Sequence, residues 1–234
     1  TAKEGRHPVI RHNCKQGGPE WNELRLGRPT ASLFERIITP AKAELSKQSD
    51  GLLHRLVAER LTGYGDETIC TAAMKAGHER EPEAAAWYSF SQDVEIEEVG
   101  ICFTDDGRIG ASPDRMVSGG GLLELKCPLA GTHCGYLLGG GIIADYKPQI
   151  QGQLWVCEAE WLDSVSYYQR LPKSLVRICR DEEYIAKMAA ALEEFCDRLD
   201  EAEAKILAMG DMPGPPSKQQ LDNQQVWDAW RPTL

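Results

Sequence analysis

The chain of 234 residues carries 26 Lys+Arg against 36 Asp+Glu, a formal charge of −10 and a pI near 5.1. That balance argues against a uniformly basic protein held to nucleic acid by bulk attraction. Its 42% hydrophobic and 26% charged residues exclude wholesale disorder and suit one large domain or two small ones.

The N-terminal stretch is polar, with Arg6, His7, Arg11 and His12, and lacks the apolar core of a signal peptide. No apolar run reaches the roughly 18 residues of a membrane span. Trp21 to Leu26 reads as a short helix. Thr30 or Ser32 can cap the next, and Ser32-Leu33-Phe34-Glu35 fits a capping box. Leu52 to Leu61 and Met74 to Phe90 read as helices, the second with Pro82 expected in a first turn or at a kink.

The period then changes. Val94 and Ile96 alternate with acids. Ile101-Cys102-Phe103, Arg108-Ile109-Gly110, Arg115-Met116-Val117 and Leu122 to Cys127 are short runs separated by turn residues, which predicts hairpins. Pro148 to Cys157 reads as a helix, and Val165 to Gln169 and Leu175 to Cys179 as strands. Residues 181–209 form the clearest amphipathic helix, with a stripe from Ile185 and Met188 through Leu192, Phe195 and Leu199 to Ile206. The expected fold is α/β, a mixed central sheet flanked by helices, in one domain over 1–210. A Pro/Gln-rich tail follows over 211–234.

Eight scattered cysteines without a Cys-x-x-Cys pair read as reduced, buried thiols rather than a disulfide or metal framework. Charge is uneven along the chain. Residues 1–60 carry net +4, residues 61–180 carry −7, and residues 181–211 carry −7 again.

The most informative stretch runs from Ser112-Pro113-Asp114 through Gly119-Gly120-Gly121 to Leu122-Leu123-Glu124-Leu125-Lys126-Cys127-Pro128. Glu124 and Lys126 lie two apart on a strand and share a face, while Leu123 and Leu125 point the other way into a core. The glycine turn brings Asp114 back towards Glu124. Hard oxygen ligands suit Mg²⁺ or Mn²⁺, and a lysine beside them can orient a water or stabilise developing charge. A lone Glu-x-Lys also serves as an edge-strand charge pair. The Asp across the turn favours chemistry.

Ser-Pro-Asp followed by Leu-Glu-Leu-Lys-Cys-Pro resembles the nuclease core of the lambda exonuclease (YqaJ viral recombinase) family, PD-(D/E)XK nucleases of restriction-endonuclease-like fold. Three further segments match in order. They are Trp21 with Leu24-Arg25-Leu26-Gly27 and Thr30-Ala31-Ser32, Gly77-His78-Glu79-Arg80-Glu81, and Tyr146 with Gln149-Ile150-Gln151.

The resemblance implies that Asp114, Glu124, the main-chain carbonyl of Leu125 and Glu81 hold two Mg²⁺ or Mn²⁺ ions, and that Lys126 serves the nucleophilic water. It implies a 5′-phosphate and DNA pocket from Arg25, Thr30, Ser32, Ser112, Gln149 and Gln151. Taken singly, Glu81 reads as a solvated charge, Arg25 as a surface ion pair and Ser32 as a cap. Gln149 and Gln153 fit a polar helix face equally well, and Gly152 suggests a close neighbour. Met74 is a strand-wedge candidate or a core residue, Tyr136 favours packing, and His133 is open between packing and DNA.

The implied function is a metal-dependent 5′→3′ exonuclease that converts one strand of linear duplex DNA to 5′-mononucleotides. Its setting would be phage-type recombination beside a single-strand annealing protein. A homotrimeric ring, a phage or prophage origin and the bacterial cytoplasm complete the expectation. Alternatives are a structure-specific or restriction-type endonuclease of the same fold, and a non-catalytic DNA-end-binding adaptor.

Overall fold

The structure, a computed structural model, describes residues 9–65, 71–140 and 146–210. In chain order it comprises β1 (Ile10–His12), α1 (Pro19–Arg25), a 3₁₀ turn (Ala31–Leu33), α2 (Phe34–Ile37), α3 (Asp50–Thr62) and α4 (Ala72–Gln92). Then come β2 (Ile96–Glu97), β3 (Ile101–Phe103), β4 (Gly110–Ala111), β5 (Arg115–Val117) and β6 (Gly121–Lys126). The chain continues through α5 (Ala130–Leu138), α6 (Lys147–Val156), β7 (Trp161–Ser166), β8 (Ser174–Cys179) and α7 (Glu182–Leu207).

The mixed sheet runs in the order β2-β5-β6-β7-β8, and β1-β3-β4 form a smaller antiparallel sheet. β5 and β6 are antiparallel, with Arg115 opposite Leu123 and Val117 opposite Gly121. Their turn holds Gly119 and Gly120 at φ 90° and 88°, a left-handed backbone that glycine adopts without strain. β6 and β7 are parallel, from Gly121 opposite Trp161 to Lys126 opposite Ser166. A parallel pair requires a crossover, which here contains α5 and α6.

β6 is buried on both faces because helices cover both sides of it. Leu122 belongs to the buried cluster that also holds Phe34, Leu56, Ile150, Leu154, Leu192 and Phe195. Leu123 and Leu125 belong to a second buried cluster, with Ala84 and Tyr88 of α4 and Val165. Those two leucines therefore enter a core, as their alternation predicts. α6 lies against the 3₁₀ turn and α2, and a Cβ on Gly152 would sit 2.4 Å from the Phe34 ring. The close neighbour suggested by that glycine is Phe34.

α7 follows the stripe read from the sequence. Tyr184, Ile185, Met188, Leu192, Phe195 and Leu199 are buried, whereas Ile206 is exposed. Asp181 caps the helix by accepting the Tyr184 amide at 3.1 Å.

Several expectations require correction. The Ser32 capping box does not form, because Ala31–Leu33 make a 3₁₀ turn with no side-chain cap and the Ser32 hydroxyl accepts from Arg25. Of the two placements expected for Pro82, the first turn is excluded, because the proline lies well inside α4. The strand placed at Val165–Gln169 is Trp161–Ser166, since a strand buried on both faces shows no alternation to mark its start. β1 has three residues, and α5 contains Gly131 and Gly135, so neither carries a strong periodic signal. The tail over 211–234 lies outside the described residues. Among the described residues no helix is long and apolar enough to cross a membrane.

Candidate active site

Extending the β5–β6 register by one residue sets Asp114 opposite Glu124. The Asp114 carboxylate accepts the Leu125 amide on Oδ2 at 2.6 Å. In a strand the N–H and C=O of one residue face the same edge, so the Leu125 carbonyl lies on the Asp114 side of β6.

Glu124 is 4% exposed and has both oxygens engaged. Oε1 accepts from Lys126 Nζ at 2.7 Å and from Gln149 Nε2 at 2.8 Å. Oε2 accepts from Gln153 Nε2 at 2.7 Å. Gln149 and Gln153 lie one turn apart on α6, which is why both reach the same carboxylate. The Lys126 ammonium also lies 4.7 Å from the centre of the Tyr146 ring.

The charges are strongly interdependent. Withdrawal from water raises the Asp114 pKa well above the usual carboxylate range, and Glu124 and Glu81 push it further. The Leu125 amide and Lys126 oppose that rise. For Lys126 burial opposes the charged form, yet Glu124 and then Asp114 more than compensate, so its ammonium is favoured. Glu81 on α4 contributes a third carboxylate to this field and pairs with His78 Nδ1 at 3.0 Å.

This donor set suits a hard divalent cation in its chemistry. Carboxylate oxygens and a strand carbonyl are the appropriate ligands, and burial together with the neighbouring Glu124 makes the charged form of Asp114 costly until a cation neutralises it. It is not a closed cage. Among the described residues no three His, Cys, Asp or Glu side chains gather as a ready-made metal centre.

A second cluster adjoins the first. The half-buried Arg25 stacks 4.2 Å over the Trp21 ring and donates to Ser32 Oγ at 3.1 Å. Ser32 Oγ and Thr30 Oγ1 are 3.5 Å apart. Trp21 Nε1 donates to Ser112 Oγ at 3.0 Å, and Ser112 precedes Asp114 by two residues. A guanidinium and three hydroxyls are therefore linked in a chain through the Trp21 indole, and Ser112 sets one end of it two residues from Asp114. Burial lowers the Arg25 pKa to about 10, which still leaves it charged at neutral pH. Bidentate donors and hydroxyls of this kind suit a phosphate.

Other residues behave differently from the sequence expectation. Gln151 does not join the phosphate cluster, because its amide donates to the Cys179 carbonyl at 3.0 Å and accepts the Asp181 amide at 2.9 Å. It points away from the face shared by Gln149 and Gln153 and ties α6 to the start of α7. Gln149 touches Glu124 instead of that cluster. His133 is fully buried between Ser166 Oγ at 2.7 Å and the Pro172 carbonyl at 2.8 Å, which is a packing role. Met74 belongs to α4, but its side chain lies outside the described residues.

Two contributors went unassigned in the sequence. Trp21 belongs to a motif but carries no ionisable group to mark it. Gln16 Nε2 reaches both the Val99 and Pro113 carbonyls at 2.8 Å, fixing the chain just before Asp114. Nothing in its local pattern signals that.

The model of the YqaJ-like viral recombinase domain matches residues 20–160, a span that holds both clusters. The chain belongs to the YqaJ-like viral recombinase family. Among solved structures, the family member is similar to an alkaline exonuclease, LHK-Exo, from Laribacter hongkongensis. The two are 31% identical with a TM-score of 0.74, over 82% of this chain and 97% of that one. The structure of LHK-Exo in complex with dAMP matches at 32% identity and TM-score 0.74, over 81% and 96% of the two chains. A phage-related exonuclease from Haemophilus somnus 129PT matches at 17% identity and TM-score 0.60, over 79% and 99%, and shares the fold. No curated protein matches the chain.

Proposed function

We propose that this protein is a metal-dependent exonuclease that digests one strand of linear duplex DNA from its 5′ end, releasing 5′-mononucleotides. The observation that carries the reading is the adjacency of two clusters, with Asp114, Glu124 and Lys126 on one side and Arg25, Thr30, Ser32 and Ser112 on the other. An endonuclease has no need of a dedicated terminal-phosphate pocket beside its carboxylates. The LHK-Exo relative, named an alkaline exonuclease and crystallised with a mononucleotide, supports the same choice.

Asp114, Glu124, the Leu125 carbonyl and Glu81 would hold two Mg²⁺ or Mn²⁺ ions. When bound, such ions supply Lewis-acid activation of water and neutralise charge on the scissile phosphate. Arg25 and the three hydroxyls grip the terminal phosphate and set the register of the chain. Lys126 keeps its proton through its ion pair with Glu124 and stabilises negative charge as it develops. Gln149 and Gln153 hold the Glu124 carboxylate in place from behind.

The setting that fits is phage-type recombination in a bacterial host, with an annealing protein receiving the exposed strand and a homotrimeric ring retaining the duplex. Digestion of linear and covalently closed duplex, each with Mg²⁺ or with chelator, tests the activity. Mononucleotides from linear DNA alone, and only with Mg²⁺, support it. Cutting of the closed circle, or unchanged cutting in chelator, overturns it.

A further inference from the structure

The turn that follows β7 belongs to neither cluster, yet it is built at the same end of the sheet. The Tyr167 amide donates to the Lys126 carbonyl at 2.8 Å, so the chain leaves β7 beside the catalytic end of β6. The turn is closed by the Leu171 amide on the Tyr168 carbonyl at 3.4 Å. Arg170 occupies it at φ 62°, a left-handed conformation in which glycine or asparagine is the strain-free choice. A long cationic side chain held there against backbone preference points to a role for the side chain itself.

The turn is pinned from three sides. The Tyr168 ring packs against His133, with centroids 6.3 Å apart and planes at 30°, and against the guanidinium of Arg80 at 5.1 Å. Arg80 immediately precedes Glu81 of the carboxylate site. His133 holds the Pro172 carbonyl at 2.8 Å. Tyr167 Oη and Gln169 Nε2 occupy the two oxygens of Glu83, the latter at 2.7 Å. The neighbouring acid on α4 is thus engaged by this loop, whereas Arg170 is exposed and makes no ion pair among the described residues.

We propose that the 168–171 turn is a DNA-backbone clamp and that Arg170 is its phosphodiester-binding cation, gripping the duplex beyond the nucleotide being cut. The ligand is the sugar-phosphate backbone, read without base sequence, because a single guanidinium on a turn offers charge and hydrogen bonds to phosphate. The clamp rests on the exonuclease reading above. It explains why a chain of net charge −10 fixes an exposed arginine at this edge, since only a local cationic contact can hold DNA against the overall charge.

The test uses the full chain and a fluorescent, 5′-phosphorylated duplex, with binding followed by anisotropy across a salt series without divalent metal. Arg170→Gly removes the charge while relieving the backbone. It should weaken binding about threefold to tenfold near 0.1 M salt and reduce the salt slope by about 1. Its thermal midpoint should equal or exceed that of the wild type, because glycine suits the turn. Arg170→Lys should keep nearly the wild-type affinity. An Arg170→Gly protein that binds with wild-type affinity and slope overturns the clamp and leaves the exonuclease reading intact. A wild-type chain that binds no duplex overturns both.

Discussion

Gln153 donates its side-chain amide to Glu124 Oε2 at 2.7 Å from a position only 1% exposed. Only the nitrogen end of that amide can face a carboxylate, so the orientation is chemically determined. The oxygen end is buried without a hydrogen-bond partner among the described residues. A buried amide held in this way fixes Glu124 before any ligand arrives. Gln153→Leu should therefore raise the Mg²⁺ concentration needed for half-maximal activity about tenfold or more, the usual consequence of losing a residue that orients a metal ligand. Magnesium titration of the nuclease rate checks this. An unchanged Mg²⁺ requirement in a folded variant would remove Gln153 from the site.

Lys126 serves two partners, Glu124 in the resting site and charge that develops during cleavage. Lys126→Ala should reduce turnover at least about a hundredfold, the scale of losing one preorganised electrostatic contact. End binding should stay within about twofold, because that charge is needed chiefly in the transition state. Single-turnover kinetics beside equilibrium binding separates the two. Turnover near the wild-type rate would contradict the role.

Asp114 links catalysis to stability. Its folded pKa lies above the usual carboxylate range, so the folded protein holds this proton more tightly than the unfolded chain does. The stability that follows is complete below the unfolded pKa and is lost as pH rises through the folded pKa. At neutral pH an ionised Asp114 thus costs stability when no cation is bound. Asp114→Asn should raise the thermal midpoint at neutral pH in chelator, and the gap should shrink as the pH falls into the ordinary carboxylate range. Mg²⁺ should stabilise the wild type and leave Asp114→Asn unmoved. Calorimetry over a pH series reads all three effects, and a destabilised Asp114→Asn protein at neutral pH would contradict the electrostatics.

Arg25 lies over Trp21 and donates to Ser32, an arrangement that needs a flat, forked cation. Arg25→Lys keeps the charge and loses both the stacking and the fork. It should therefore lose much of the preference for 5′-phosphorylated over 5′-hydroxyl ends, as Arg25→Ala should. The ratio of initial rates on the two substrates is the measurement. A lysine variant with the full wild-type ratio would reduce the pocket to simple charge attraction.

The carboxylate site was legible because its determinants are local. Asp114, the glycine turn and Glu124-Leu125-Lys126 lie within thirteen residues, and strand alternation alone puts Glu124 and Lys126 on one face. The helices were legible where one face stayed buried, as in α7. What escaped was long-range. Gln16 reaches Pro113 across 97 positions, and Trp21 reaches Ser112 across 91, so neither contact has a local periodic trace. Gln151 and Gln153 look alike in sequence. Helical geometry turns one towards the Cys179 backbone and the other towards Glu124, a distinction that required knowing which face of α6 meets the sheet. The start of β7 leaves no mark in the sequence for a related reason, since burial on both faces erases its pattern.

If the carboxylates and the Arg25 cluster act together, they act on one end of a strand. The most direct measurement is the first product from linear duplex labelled at a 5′-phosphate terminus, in Mg²⁺, compared with the same duplex labelled at its 3′ terminus. The 5′ label should leave first, as a mononucleotide, with no signal in chelator and slower release from 5′-hydroxyl ends. Early loss of the 3′ label, or internal fragments that keep the 5′ label, would contradict it.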